Sequence, residues 1–403
     1  MTSLRTSLVL LLFLVFATAS AVAQEAVCPY DQGGQPLAWT EKEPGIDYAV
    51  FVHPGDKPKK LAKVYAHILR IDLSKGLQPV AMRAQGGGLR IEQIAARLGV
   101  DRRLDVRAGI NGDYFSFGDR VKDPLGLFIS QGQVLRYSNG TSSLLYDYDG
   151  GVHMGVFQVE QTVRWDGGSI TLDAANEASM ARRDQAVLFS GAYADSVKGL
   201  KDCWVVHGRT ETLEPMINRT LSVTVTEAGW RHSLSKLDER DLVVAACGEK
   251  GKALRVLEEG ASFSLSSKLV GLDNRPVVEA ISGGPRVLRD GRATQEADRE
   301  GFSLALRLYI PQRHPRSAVG ISADRRFLYL MAVEGRGIRR SGGLSAFDAG
   351  CVLHKVGADD GMLFDGGGSA VLMYDGGFLN EPHRGRDYTS RDLANALGVI
   401  RVK

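Results

Sequence analysis

An α+β fold, with a strand-rich mixed sheet core, few helices and an inserted β subdomain, is predicted by three features of this sequence. Short β-branched and apolar runs are broken repeatedly by glycine, as in AKVYAHILRIDL, LSVTVTEAGW, DLVVAACG and RFLYLMAV, which is the patterning of strands bounded by turns. Only two segments show clear helical spacing. From about Thr141 to about Leu272 the helical signal nearly vanishes while strand runs continue, which places a β-rich insert at about 141–272 between two halves of the core.

Taken in chain order, the first segment reads as a targeting signal. MTSLRTSLVLLLFLVFATASAVAQ has an early Arg5, an apolar stretch from Leu8 to Phe16, and small residues Ala21 and Ala23 before Gln24. That is the pattern of a signal peptide, with residues 1–23 removed and 24–403 forming one exported domain, secreted or periplasmic and without stable membrane insertion. Further along, Arg90 to Leu98 (RIEQIAARL) places apolar residues at helical spacing. Gly342 to Val356 (GGLSAFDAGCVLHKV) does so more strongly, with Ser345 as N-cap and Gly357 as the stop. The remaining runs, among them GVHMGVFQV and SAVGIS, read as strands.

Composition narrows the partners. The 403 residues are 44% hydrophobic and 24% charged, enough for a large core, and 50 basic against 47 acidic residues leave a net charge of only +3. No polycationic tract for nucleic acid is present. Oligomeric state is not encoded in any pattern here. Cys28, Cys203, Cys247 and Cys351 all follow the signal segment, and an even count in an exported chain suggests disulfides. Cys203 with Cys247 is the favoured pair because both lie in strand-like runs, buried free thiols being the alternative. No C-x-x-C, H-x-H or H-x-x-x-H is present, so neither a metal nor a cofactor is expected.

Chemistry concentrates in the glycine clusters. They are AGINGDYF (108–115), KDPLGLFISQGQV (122–134), ISGGPRVLRDG (281–291), PRSAVGIS (315–322), SGGLS (341–345) and LFDGGGSAVLM (363–373). In several of them a polar residue stands at the end of an apolar run beside glycine: Asn111, Ser282, Arg316 and Asp365. Glycine admits positive φ and lets a ligand approach backbone N–H groups, and a polar side chain at a strand end can face a cleft.

The order of these clusters, closed by RDLANALGV, resembles the phosphodiester glycosidase family, which has bacterial exopolysaccharide-associated members. The resemblance covers roughly residues 60–403 with the middle insert poorly matched, and D-G-G-G-S and P-R-S-A-V-G are its most specific parts. It implies hydrolysis of the bond between a sugar anomeric carbon and a phosphodiester, with a phosphate-linked glycan as partner. Such a leaving group departs as a stable anion, so cations are needed there. Arg316 offers a planar fork for two phosphate oxygens and Arg391 a second clamp. The oxocarbenium-like transition state needs a facing carboxylate, for which Asp365 is the candidate, as nucleophile or as base for water.

The other expected site residues follow from the same motifs. Asn111 is expected to donate to a sugar or phosphate oxygen, and Ser282, Gly283, Gly284, Ser317, Ser341, Gly366, Gly367, Ser369, Arg391 and Asn395 to line the substrate pocket. The chain departs from the family pattern where N-G-G-F-F becomes Asn111-Gly112-Asp113-Tyr114-Phe115, and where Ser390 stands in place of an acid before Arg391. Asp113 is thus a second catalytic acid, a metal ligand or a structural cap. Two other functions stay open: a polysaccharide-binding envelope protein without catalysis, and a phosphodiesterase that breaks the P–O bond. His314, before Pro315, is a candidate proton carrier.

Overall fold

The computed structural model describes residues 28–402 except 31–33, 59, 85–87, 117–121, 195, 201, 212–216 and 383–389. The expected signal segment, 1–23, lies outside the described residues. Among the described residues no helix is long and apolar enough to cross a membrane.

The core stacks a long sheet against two smaller ones. The long sheet has eight strands in the order Thr40–Glu43, Ile46–His53, Val64–Asp72, Phe327–Val333, Arg316–Ile321, Asp360–Leu363, Arg286–Arg289 and Arg292–Ala293. Its central strands are buried on both faces, so RFLYLMAV and SAVGIS read as continuous apolar runs. One face meets Ala108, Ile110, Leu397 and Val399 of a five-stranded sheet, and Phe128, Leu144 and Ile281 of a second five-stranded sheet. The other face is covered by the helix Ala346–Lys355 through Ala346, Ala349, Val352 and Leu353.

Both helices foreseen in the sequence form. Ser345 caps Ala346–Lys355 by accepting from the Asp348 N–H at 3.1 Å, and Gly357 follows with φ +108°. Ile91–Arg102 packs Ile91, Ile94 and Ala95 on the outer face of the sheet that holds Asp105–Asn111 and Asn395–Arg401. The layers are therefore helix, sheet, sheet, helix. The short helices Gly248–Ala253 and Leu304–Tyr309 carried no sequence signal, being too brief for a repeat to show.

Residues 158–270 build an eight-stranded sheet of their own, with Ser262–Val270, Thr220–Trp230, Cys203–Arg209 and Asp241–Cys247 at its centre. Ser142–Asp147, inside the expected 141–272 segment, pairs instead with Val277–Ser282 of the core, and Val152–Val156 pairs with Ser142–Asp147 at the edge of the same sheet. We accordingly propose Gln158 as the start of the insert. Strand pairing throughout the named strands is antiparallel save for Ala174–Ala175 against Ala186–Ser190, so the mixed character is confined to the insert. Cys203 and Cys247 face each other across adjacent strands and are bonded, as favoured from the sequence. Cys28 is bonded to Cys351, which fastens the first described residue to the core helix.

Candidate active site

Strands from three sheets end around the turn at 365–369. Leaving the strand Asp360–Leu363, Phe364 donates its N–H to the Ser317 carbonyl at 2.9 Å, and Asp365 donates its N–H to the Gly112 carbonyl at 2.9 Å. Asn111, the last residue of its strand, donates from Nδ2 to the Asp365 carbonyl at 2.6 Å. Its Oδ1 accepts from the Ser317 hydroxyl at 2.5 Å and from the Val371 N–H at 3.1 Å. The backbone of Asp365 is thus held on both sides. Gly367 takes φ +62° to turn the chain, and a Cβ on Gly366 would stand 2.8 Å from the Pro315 carbonyl oxygen, so no side chain fits there.

The carboxylate itself is left largely unsupported. Asp365 is partly exposed, but its Oδ2 is buried and has no hydrogen-bond partner among the described residues. Burial pushes its pKa up to about 6, against the Ser369 hydroxyl, the Arg391 charge, the Gly366 N–H and the Arg316 charge, all of which favour the ionised form. Arg391 reaches this group by donating from Nη1 to Ser369 Oγ at 3.3 Å. The result is a carboxylate poised between charged and neutral near physiological pH, a common property of reacting groups.

Arg316 occupies a different role from the one expected. It is 2% exposed, and its guanidinium donates from Nε to the Leu344 carbonyl at 3.0 Å and from Nη2 to the Ile310 and Gln312 carbonyls, each at 2.6 Å. The Nε–Nη2 edge of the planar fork is therefore spent on the backbone. Desolvation lowers its pKa, yet it remains a cation and acts on Asp365 as charge. A two-oxygen grip on phosphate through Nε and Nη2 is therefore not open to it, and we propose that it acts on the anion through its charge.

Asp113 is a cap. Its Oδ1 accepts from the Tyr114 N–H at 2.8 Å and its Oδ2 from the Gly126 N–H at 2.7 Å, while its own N–H donates to Asn395 Oδ1 at 2.8 Å. Burial raises its pKa to about 7, those two N–H donors opposing, with the Asp365 charge adding to the rise. With both oxygens engaged, it is poorly placed to transfer protons. Asn395 keeps Nδ2 buried and, among the described residues, without a hydrogen-bond partner.

Ser282 stands one step back. Its hydroxyl shares a hydrogen bond with Thr141 Oγ1 at 2.8 Å, while Gly283 and Gly284 donate to the Ser142 and Leu363 carbonyls at 3.0 and 2.8 Å. The glycines serve close strand packing, since a Cβ at Gly283 would stand 2.7 Å from Phe364 Cδ1. Ser317 is used entirely on Asn111. Ser341 does not join the group through any hydrogen bond: its hydroxyl donates to the Glu334 carbonyl at 2.5 Å and closes the loop between them. Ser390, where an acid was expected from the family pattern, donates to Glu92 Oε2 at 3.3 Å, so helix Ile91–Arg102 brings a carboxylate to that position.

Two residues were missed in the sequence. A Cβ built on Gly367 would meet Arg336 Nη2 at 2.9 Å and Tyr309 Oη at 3.3 Å, so both lie on the D-G-G-G-S turn. Tyr309 stacks on His314, centroids 3.8 Å apart. The run AVEGRG does set a polar residue beside glycine at the end of an apolar strand, the same signal that identified Asp365.

Comparison with known proteins bears on this constellation. The model of the family described as phosphodiester glycosidase matches residues 223–400, which include Ser282, Arg316, Ser341, Asp365, Arg391 and Asn395 but not Asn111 or Asp113. No curated protein matches the chain. Among solved structures, a hypothetical protein from Synechocystis is similar at 18% identity with TM-score 0.70, covering 91% of this chain. The chain spans only 64% of that protein's length. A protein described as exported, from Burkholderia pseudomallei K96243, is similar at 19% identity and TM-score 0.63, over 84% of this chain and 74% of its own. The catalytic domain of zebrafish N-acetylglucosamine-1-phosphodiester alpha-N-acetylglucosaminidase, auto-inhibited by its pro-peptide, aligns over 92% of this chain and 88% of its own, at 15% identity and TM-score 0.48. That last likeness is too loose to argue from. The first two establish a shared fold, and residues 223–400 are similar to the phosphodiester glycosidase family.

Proposed function

We propose that this chain is an exported hydrolase that cleaves between a sugar's anomeric carbon and a phosphodiester oxygen. Water adds at the anomeric carbon, the C–O bond to phosphate breaks, and a free sugar and a phosphate monoester leave. The observation that carries the reading is Asp365: a carboxylate fixed by its backbone between Asn111 and Gly112, with one buried oxygen left without a partner. Such a group is available to face the positive charge that develops on the sugar. Its pKa of about 6 leaves it mostly ionised at neutral pH, and still basic enough to take a proton from water if it acts as a base. The charges of Arg316 and Arg391 favour departure of the anionic phosphate.

Export is supported by the two disulfides, which persist in oxidising compartments. The natural substrate class that fits is a phosphate-linked glycan of the cell envelope or extracellular matrix. Hydrolysis of a sugar-1-phosphodiester in ¹⁸O-labelled water tests the reading. Label is expected in the sugar; label in the phosphate would assign a P–O phosphodiesterase instead. The configuration of the released sugar separates the two roles of Asp365, retention marking a nucleophile and inversion a base. Absence of turnover on any sugar-1-phosphodiester, with binding retained, would favour a polysaccharide-binding protein.

A further inference from the structure

We propose that Arg336, Tyr309 and His314 form the anion-holding half of this site, across the Gly366–Gly367 turn from Asp365, and that Arg336 is the side chain that grips the phosphate oxygens. The inference rests on the hydrolase reading only for the identity of the anion's parent molecule. Three observations converge on it. Arg336 Nη2 lies against Gly367, at the 2.9 Å separation from a would-be Cβ given above, so the glycine makes room for a guanidinium over the turn. Arg336 has no hydrogen-bond or carboxylate partner among the described residues, whereas Arg339 of the same loop is taken up by Glu334 at 3.2 Å and Glu381 at 2.9 Å. Its fork is free in a way that the fork of Arg316 is not.

The second observation is backbone strain. Arg336, Arg339 and Arg340 have φ of +55°, +47° and +59°, a left-handed conformation that costs a non-glycine residue on the order of 1 kcal/mol or more. The Arg339 ion pairs and the Ser341 hydroxyl bond to the Glu334 carbonyl pin the loop in that form. The third is an orphaned ring nitrogen. His314 Nε2 is buried without a hydrogen-bond partner among the described residues, and its ring lies flat on Tyr309, whose hydroxyl approaches the same glycine. Burial, with the charges of Arg316 and Arg336 added, lowers the imidazole pKa to about 4, so the ring is neutral and offers one N–H without adding charge. A phosphate oxygen between Arg336 and Nε2 would satisfy both.

The test uses inorganic phosphate and the whole protein, with the His314 ring signals followed by NMR. Saturable shifts of those signals are expected on adding phosphate. Arg336→Gln should weaken phosphate binding at least tenfold, Arg336→Lys less so, and Arg340→Gln, which alters another exposed arginine of the same loop, by less than twofold. On substrates, Arg336→Gln should lower kcat/KM for a sugar-1-phosphodiester about tenfold or more while leaving an aryl glycoside without phosphate unaffected. Unmoved His314 signals at saturating phosphate, or unchanged affinity in Arg336→Gln, would overturn the subsite even if hydrolysis persisted. Conversely, phosphate bound through Arg336 by a protein that hydrolyses no sugar phosphodiester would uphold the subsite and remove the hydrolase reading.

Discussion

The strand Asp360–Leu363 starts on one aspartate and leads, two residues past its end, to another, and the two are treated in opposite ways. Asp360 is 2% exposed and is met by Arg286 through Oδ1 and by Arg325 through Oδ2 at 2.7 Å. Burial works to raise its pKa, but the two guanidiniums outweigh that and hold the carboxyl below the ordinary range. Asp365 has no such fork on it. One oxygen is orphaned, and burial wins. The same side chain therefore serves as a structural ion at one end of the strand and as a poised group at the other, and the neighbours decide which.

The largest expected effect that separates the two ends is on turnover. Asp365→Asn should reduce kcat at least about a hundredfold, since it removes the group facing the developing charge, while a thermal melt stays level or rises. Near-normal turnover in a folded Asp365→Asn protein would make this residue a turn aspartate like many others. Next comes Asp360→Asn, which leaves Arg286 buried beside a neutral amide. A loss of roughly 3–5 kcal/mol in denaturant unfolding is expected, with activity per folded molecule retained. If that substitution cost nothing, the distinction between the ends would fail.

Stability against pH should show the same contrast. Because the folded pKa of Asp365 is raised from 3.8 to about 6, the native state keeps a proton that the unfolded chain has lost across that window, so this residue's contribution falls as pH rises through it. The size is on the order of 2–3 kcal/mol. Asp360, with a lowered pKa, contributes stability that is present above the unfolded pKa and lost as pH falls below it. Unfolding curves of the two Asn variants between pH 3 and pH 7 separate these contributions. A smaller effect is expected for Ser369→Ala. Removing a hydroxyl that favours the carboxylate should raise the Asp365 pKa further and move the acid limb of kcat/KM to higher pH by up to about one unit. A shift in the other direction would contradict the assigned hydrogen bond.

Sequence patterning reached the strands, the two longer helices and the turn at Asp365, because alternation, capping and glycine punctuation are local signals. It did not reach the partners of a charge. P-R-S-A-V-G singled out Arg316 as a fork for phosphate, but nothing in the motif says that carbonyls 28 and six residues away will take up its Nε and Nη2. Ser341 has the same glycine-flanked setting as Ser282, yet its hydroxyl is drawn to the Glu334 carbonyl by a loop whose left-handed arginines have no sequence signature. Asp113 could be an acid, a ligand or a cap by sequence; the backbone of Tyr114 and Gly126 decides for the cap. Arg336 and Tyr309 come to the site by topology, from a strand exit and a six-residue helix.

The two aspartates can be compared in one sample by following their side-chain carboxyl ¹³C signals through a pH titration, alongside the pH profile of kcat/KM. The account predicts a midpoint near pH 6 for Asp365 that coincides with the acid limb of activity, and a midpoint for Asp360 below the ordinary carboxylate range. An Asp365 midpoint at or below about 4, with the activity limb elsewhere, would contradict the claim that this carboxylate is the reacting group.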